Sequence, residues 1–482
     1  MQEQPVTRSG RAWLPCVWAW LGGLLLAFFA VTGMIYAPSR YLNGLLLRYV
    51  RYLPVFALLT VVIALLLQLL IRWHGPRLEQ EKVHNDLGRI SFVLLLCVWL
   101  VYIGAFYPGS VQTDAMTQLN QGLGFSTLTD HHPVAVTWYY TALLRLGQAV
   151  ADDRFGVFLI TLTNAVWTAW VCSRVIRDLG AMGYGRKAAV GLMLWYALFP
   201  LFGVYVQTVE KGALYFPTLM LFILRMVQVQ RAGEPVGIRQ LAGLALPALL
   251  LCLVRHEGIL LVAPSLLALA LSLSVRQNKK RLLAVLAAVV LLFSGYQGAV
   301  NLYCDNDNTA ESLSICFQLT ALYMKTYPEE ITEEEYAIID RVLDADTIAD
   351  KFNPLIADPV KNTFKKTAGA KEMSDYLALW LRQLLKHPAC YLDGLLHCTF
   401  GYMDPVFISP LDGYTLQSCS DPTVLIPAAC VVLIAVLSPV NGDIRYTIPW
   451  IAAAPQTILW ALAQGGRRTG EKLSMERKET IC

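Results

Sequence analysis

Charge is scarce in this chain of 482 residues. Asp, Glu, Lys and Arg make up 15% of it, against roughly a quarter in a soluble domain, so an ordinary soluble globular protein is excluded. Hydrophobic residues are 56% and mean hydropathy is +0.49, which assigns the chain to a bilayer. It also lacks the ten-residue alternation of an outer-membrane barrel, and backbone groups in lipid must all be paired, so the spans are helices. The 11 cysteines include no CxxC and no Cys/His ligand spacing, which removes a structural zinc site. Repeats of solenoid period and low-complexity tracts are absent. The net charge of +4 is small and spread over loops, so it reports topology and gives no reason to invoke nucleic acid.

What remains is apolar. Windows of about 17–25 such residues, bounded by charge or by Pro and Gly, mark candidate spans. They begin near Leu14, Pro54, Ile90, Phe155, Ala188, Gly212, Leu241, Gly258, Leu282, Thr423 and Ile444. The expected fold is therefore an all-α polytopic membrane protein of about 10–12 transmembrane helices. The first apolar run is longer than a signal-peptide core and is followed by no small-residue cleavage site, so a retained signal anchor is expected.

Lys and Arg in short loops set the orientation. Arg8 and Arg11 precede the first window, Arg72, Arg77, Lys82 and Arg89 follow the second, Arg174, Arg177, Arg186 and Lys187 follow the one at Phe155, and Arg276, Lys279, Lys280 and Arg281 form another cluster. All share one side if the N-terminus is cytoplasmic. Residues 107–133, Glu210-Lys211, Arg255-His256-Glu257 and 301–421 then face outward. Arg40, Arg48 and Arg51 oppose this scheme, as does the basic tail. If 424–437 does not fully cross, or a further crossing lies within 301–421, the tail returns inside and Arg445 faces outward. The organisation expected is a transmembrane bundle over 1–300 with its first outer loop at 107–133, an extracytoplasmic helical subdomain over 301–421, C-terminal membrane helices over 422–464 and a basic tail over 465–482.

The outer segment is too long to be a structureless loop. Residues 313–327 and 374–386 are apolar at helical spacing, and ITEEEYAIIDRVL opens with a Thr cap followed three residues on by Glu. NPLIADPVKN reads as an extended turn because each residue before a proline is pushed from the helical region, and HPACYLDGLLHCTFGYMDP reads as an amphipathic helix in the interface plane. Cys97, Cys172, Cys252 and Cys430 sit in apolar windows as packing residues, while Cys304 and Cys316 are spaced closely enough to bridge in an oxidising compartment. The acidic run Glu329, Glu330 and Glu333 to Glu335 has no calcium-loop spacing and reads as a solvated face.

The candidate chemistry lies in the outward loops. Asp114, Asp130, His131 and His132 stand in YPGSVQTDAMTQLNQGLGFSTLTDHHP, directly after an apolar run. Asp114 reads as a general base with Thr117 and Gln118 on its helix face, or as the cap of the helix it opens. His131 and His132 read as interface residues that position Pro133, since no third metal ligand stands at a fixed spacing. Glu210 and Lys211 form either a loop ion pair or part of the site, and Arg445 with Tyr446 either an interface anchor or part of the site. Arg255, His256 and Glu257 interrupt a nearly continuous apolar run, where charge is costly and marks function. Lys211, Arg255, His256 and Arg445 are the groups suited to a phosphate, Arg by bidentate contact.

These residues carry a resemblance. PGSVQTDAMTQ followed by DHHPVAVTWYYTALLRL resembles the first outer loop and the HPP-type step of GT-C-fold membrane glycosyltransferases such as protein mannosyltransferases and aminoarabinose transferases. QTVEKGALYF looks like their acidic turn, VRHEGILL like an Arg-x-x-Gly segment of related uncharacterised bacterial membrane families, and SPVNGDIRYTIP like a terminal Arg-Tyr motif. The chain departs from that pattern in having a lone Asp114 in place of an acidic pair and Val134 in place of the second proline. The resemblance implies a GT-C-like bundle in a bacterial-type plasma membrane. It implies transfer of a sugar from a polyprenyl-phosphate donor to an acceptor on the outer face, with Asp114 as base and Asp130, His131, His132, Glu210, Lys211, Arg255, His256, Glu257, Arg445 and Tyr446 around the substrate. Membrane lipids are the surroundings, the acceptor is unspecified, and the cofactor is unspecified with room for a divalent cation. A transporter or flippase for a lipid-linked or anionic substrate is the alternative. A scaffold role would leave Asp114 and Arg255 far apart.

Overall fold

The computed structural model describes residues 17–37, 44–73, 85–232, 235–272, 277–304 and 309–403. The windows at Thr423 and Ile444, with Arg445, Tyr446 and the basic tail, lie outside the described residues. The membrane part contains α1 (Val17–Tyr36), α2 (Arg48–Trp73), α3 (Asn85–Ala105), β1 (Ser110–Val111), α4 (Thr113–Leu123), α5 (Val134–Val150), α6 (Asp153–Ala181), α7 (Arg186–Leu198), α8 (Pro200–Val206), β2 (Thr208–Val209), α9 (Lys211–Arg231), α10 (Ile238–Val254), α11 (Gly258–Leu271) and α12 (Lys279–Tyr303).

The protein is an all-α polytopic membrane protein. Among the described residues α1, α2, α3, α6, α9 and α12 are long and apolar enough to cross a bilayer, which makes six, or seven if the bent pair α7–α8 is one span. That pair bends by 56° because Pro200 cannot continue the α7 ladder and holds Phe199 in an extended conformation. The expected count of spans is corrected at the windows near Leu241 and Gly258. They fold as helices of 17 and 14 residues, about 26 and 21 Å long, short of the hydrocarbon thickness. The Arg255-His256-Glu257 turn separates them, and each carries an internal proline.

One apolar core gathers Leu95, Trp99, Tyr196, Phe202 and Phe216 between α3, α6, α7, α8 and α9. A second gathers Tyr140, Leu219, Phe222, Leu251, Val262 and Val289 between α5, α9, α10, α11 and α12. α9 belongs to both and is 72% buried, whereas α12 is 22% and α2 17% buried, so α9 is the central post and the others face lipid. α5 and α6 cross at Gly147 and Gly156, where a Cβ on Gly147 would stand 2.1 Å from the Gly156 Cα. Cys172 and Cys252 are buried as expected, but Cys97 is exposed, because the packed face of α3 runs through Ser91, Leu95, Trp99 and Ile103.

Residues 309–403 form the helical unit expected after α12, with α13 (Thr309–Ser312), α14 (Ser314–Thr326), α15 (Glu333–Val342), α16 (Ile348–Lys351), α17 (Asp358–Lys361), α18 (Ala370–Lys386) and α19 (Pro388–Thr399). Its core holds Phe317, Leu322, Ile339, Val360 and Tyr376. The Thr332 box forms as its sequence predicts: its hydroxyl accepts from the Glu335 amide and the Glu335 carboxylate accepts from the Thr332 amide, both at 3.2 Å. The extended reading of NPLIADPVKN is corrected at Asp358–Lys361, a single helical turn with proline in its first turn, where the missing N–H removes no bond. Cys316 carries a free thiol, so the bridge to Cys304 is not formed.

Over its described part, 387–403, the segment read as an amphipathic helix packs its apolar side on protein. α19 packs Leu396, with Phe400 beyond it, against Phe29, Ile35 and Leu45 of the N-terminal helices. Its buried Asp393 accepts from the Tyr36 hydroxyl at 2.6 Å, the Gly44 amide at 2.7 Å and the Leu45 amide at 3.3 Å. A carboxylate can accept all three because it presents about four lone-pair sites. The α1–α2 hairpin is thereby fastened to the C-terminal unit.

Two outcomes are expected. Asp393→Ala strands three donors and costs roughly 2–4 kcal/mol, so it should lower the Tm by several degrees while Asp393→Asn, which keeps one acceptor, lowers it less. An unchanged Tm in the alanine variant would remove the latch. In intact membranes, cysteines placed at Asn120 and Asn362 should label from one side and a cysteine at Arg239 from the other. Labelling of Asn120 and Arg239 positions from the same side overturns the assigned orientation.

Candidate functional site

The loop after α3 is held by backbone. β1 pairs in parallel with β2, with Ser110 opposite Thr208 and Val111 opposite Val209. The Ser110 amide donates to the Gln207 carbonyl at 3.2 Å and to the Gln207 side chain at 3.0 Å, and the Gln112 amide donates to the Val209 carbonyl at 3.3 Å. Both strands are fixed to α6, where the Thr161 hydroxyl donates to the Pro108 carbonyl at 3.4 Å and Asn164 donates to the Thr208 carbonyl at 3.2 Å. Gly109 makes this approach possible. Its φ is +129°, and a Cβ there would stand 2.5 Å from the Thr161 methyl and 2.9 Å from the Gln207 carbonyl.

The strand pair delivers two charged helix starts to one place. α4 begins with Asp114 in its first turn and α9 begins at Lys211, and the Lys211 ammonium stands 3.3 Å from the Asp114 carboxylate. The same ammonium lies 3.2 Å from Nδ1 of His132. An ammonium has only hydrogens to give, so Nδ1 accepts, which assigns the ring proton to Nε2. The capping reading of Asp114 is corrected: Gln112 occupies the cap position, and Asp114 gains from the helix dipole instead. The orienting role expected of Thr117 and Gln118 is corrected as well. The Thr117 hydroxyl donates to its own helix at Thr113, and Gln118 donates to Thr137 at 3.1 Å.

Glu210 and Arg255 form a buried pair beside this contact, with an N–O separation of 3.7 Å. The Arg255 guanidinium also lies 5.4 Å from the centre of the Tyr215 ring. Because Glu210 and Lys211 are consecutive, the Lys211–Asp114 and Glu210–Arg255 contacts place Asp114 and Arg255 in one cluster, with the buried Tyr140 within reach of its charges. Burial works against ionisation of Glu257, but the charges of Arg255, Lys211 and His256 and a backbone N–H outweigh it and hold its carboxyl below the ordinary range.

Asp130 and His256 do something different. Nε2 of His256 stands 3.0 Å from the Asp130 carbonyl, and the fully buried Asp130 carboxylate accepts from Gln297 of α12 at 3.2 Å. These contacts tie the far end of the loop to the α10–α11 turn. His131 is exposed and meets His132 edge-on at 4.5 Å. Sequence reasoning missed Tyr140, Gln207, Tyr215 and Gln297; the one signal available was a glutamine in an otherwise apolar span at Gln297.

The cluster is recessed. Gln297 is six residues from the end of α12 and Thr161 eight from the start of α6, so these helices project about 9–12 Å past it. Asp114 faces Lys211, Glu210 faces Arg255, and the charges of both cations act on Glu257, while Asp130 stands apart with Gln297 and His256. Among the described residues no three His, Cys, Asp or Glu side chains gather so as to hold a metal ion.

Gly109→Ala is expected to loosen the strand pair, with strain on the order of 1–3 kcal/mol from the backbone conformation alone. Thermal unfolding should show a lowered Tm, and adding Thr161→Ser should recover only part of it, since the methyl clash is relieved but the positive φ remains. A Gly109→Ala protein with wild-type Tm would show that the loop is not held this way.

No curated protein and no solved structure matches the chain. One family profile, described as a family of unknown function (DUF6020), matches residues 123–421. The match takes in His132, Glu210, Lys211, Arg255 and the unit after α12, and begins beyond Asp114. It covers more than half of the sequence, and the chain therefore belongs to the DUF6020 family of unknown function.

Proposed function

We propose that this protein is a GT-C-type glycosyltransferase that moves a sugar from a polyprenyl-phosphate donor to an acceptor at the extracytoplasmic face of a plasma membrane. The observation that carries the reading is the Asp114–Lys211 contact, a carboxylate and an ammonium 3.3 Å apart at the recessed end of a membrane bundle. Transfer needs a base for the acceptor hydroxyl and a cation for the departing phosphate, and these two groups are of the required types. In the proposed step the acceptor oxygen bonds to the anomeric carbon and gives its proton to Asp114. The bond from that carbon to the phosphate oxygen breaks, and the phosphate leaves with the electron pair beside Lys211. Arg255 is too buried to meet the phosphate directly, so it acts as a positioning residue that holds Glu210 at the start of α9. His132 orients Lys211, and Asp130 with His256 holds the loop closed behind them.

One feature favours the transporter reading. The broken α7–α8 pair leads straight into β2 and Glu210, and discontinuous helices beside a buried ion pair are a feature of alternating-access proteins.

The full chain in nanodiscs, incubated with a panel of labelled polyprenyl-phosphate sugars and a membrane acceptor fraction, is expected to transfer label from at least one donor. Asp114→Asn should fold and bind donor yet lose 10²–10⁴-fold in turnover, the usual consequence of removing a general base. Lys211→Gln should raise the donor KM as well. Wild-type turnover in Asp114→Asn would sink the base assignment, and flux of intact lipid-linked sugar across proteoliposomes without transfer would replace it with the transporter.

A further inference from the structure

A second polar cluster lies at the other end of the same helices. Lys211 and Arg231 bracket α9, a helix of 21 residues, and are about 30 Å apart along its axis, the thickness of a hydrocarbon core. At the far end the last turns of α6 and α9 meet. Asp178 accepts from Arg231 at 3.0 Å and from Gln228 at 3.0 Å, and Gln228 in turn accepts from Arg225 at 2.9 Å. The other Arg231 nitrogen donates to the Ala181 carbonyl. Both oxygens of Asp178, the one carboxylate bonded in this group among the described residues, are therefore engaged.

Two more arginines join it. Arg174 lies over the Trp170 ring at 4.8 Å, and that ring stacks on Trp167 at 5.2 Å. Arg174 stands near enough to both Arg177 and Arg225 for their charges to act on it, and Arg177 acts on Arg225. Glycines on the neighbouring helices leave the room: Gly88 of α3 faces the Arg177 stem and Gly243 of α10 lies beside the Arg225 guanidinium. Among the described residues, Arg231 thus holds Asp178 directly, Arg225 reaches it through Gln228, and the charges of Arg174 and Arg177 lie close enough to act on this group. The Nε atoms of Arg225 and Arg231 are buried and have no hydrogen-bond acceptor. A buried donor without an acceptor is costly, and gathered like charges add to that cost. Phosphate oxygens would relieve both, because a guanidinium fork matches them bidentately.

We propose that the paired ends of α6 and α9 bind a phosphate group, presented by an anionic phospholipid of the leaflet at that end. The chemistry admits a soluble phosphate compound as the alternative source. The lipid is favoured because the cluster lies between the ends of two helices long and apolar enough to cross a bilayer, α6 and α9, and basic pockets between transmembrane helices select anionic headgroups. This site is separate from the Asp114 cluster and stands whether or not the protein transfers sugar.

The test is thermal unfolding of the full chain in a neutral detergent, titrated with phosphatidylglycerol, phosphatidic acid, phosphatidylcholine or inorganic pyrophosphate. A saturable rise in Tm is expected with the two anionic lipids and none with phosphatidylcholine. Arg174→Gln and Arg177→Gln, which break no side-chain hydrogen bond seen among the described residues, are each expected to raise the half-saturating lipid concentration roughly tenfold, with an unchanged lipid-free Tm confirming that they fold. Arg225→Gln should do so too, and Arg239→Gln, exposed at the same end outside the cluster, should leave it unchanged. An equal response to pyrophosphate keeps the site and reassigns its source to a soluble phosphate compound. If no anion raises the Tm, or if the Arg239 and Arg174 variants respond alike, the proposal is wrong.

Discussion

The Asp114–Lys211 end of this protein depends on one short backbone pairing, residues 110–112 against 207–209. Two strands of two residues each contribute few hydrogen bonds, yet they join segments 97 residues apart and set the register of both helices that follow. Asp114 and Lys211 meet because each opens its helix a few residues beyond a paired strand. The pairing survives near lipid only because Gly109, Thr161 and Asn164 satisfy or make room for the irregular backbone around it. Non-helical chain at membrane depth requires such burial in protein.

Electrostatics then shapes what the site does. The Glu210–Arg255 pair is buried, and such a pair does little for stability relative to apolar packing, although breaking it leaves a charge stranded. Its position at the start of α9, next to Lys211, gives it a role in alignment. The recess formed by the projecting ends of α6 and α12 lowers the local dielectric and strengthens every charge inside. Arg225, Arg231 and their neighbours show the same economy at the opposite end, where Arg231 holds Asp178 directly and Arg225 reaches it through Gln228. α9 connects the two clusters and lies in both apolar cores.

The hydrophobic pattern made the membrane class, the helical architecture and nine of the helix positions legible, because the cost of unpaired backbone in lipid leaves helices as the only solution for such runs. Local chemistry was equally readable at the Thr332 box, where the partners are three residues apart. Arg255 stands out on energetic grounds because it interrupts apolar sequence, and it does meet Glu210, whose expected loop ion pair with Lys211 is replaced by Glu210–Arg255 and Lys211–Asp114 contacts. The length of α10 and α11 was overestimated, since composition does not show where a turn will cut an apolar run.

Composition and periodicity alone determined that this is a polytopic helical membrane protein with polar chemistry gathered in its loops, because those properties follow from residues within one helical length of each other. Tertiary structure decided who meets whom. That Asp114 pairs with Lys211 and does not cap its helix, that Asp393 latches the α1–α2 hairpin, and that Asp130 bonds to Gln297 all rest on contacts between residues separated by about a hundred positions or more. No local rule reaches that far, because such contacts are set by how helices pack and where a two-residue strand finds its partner.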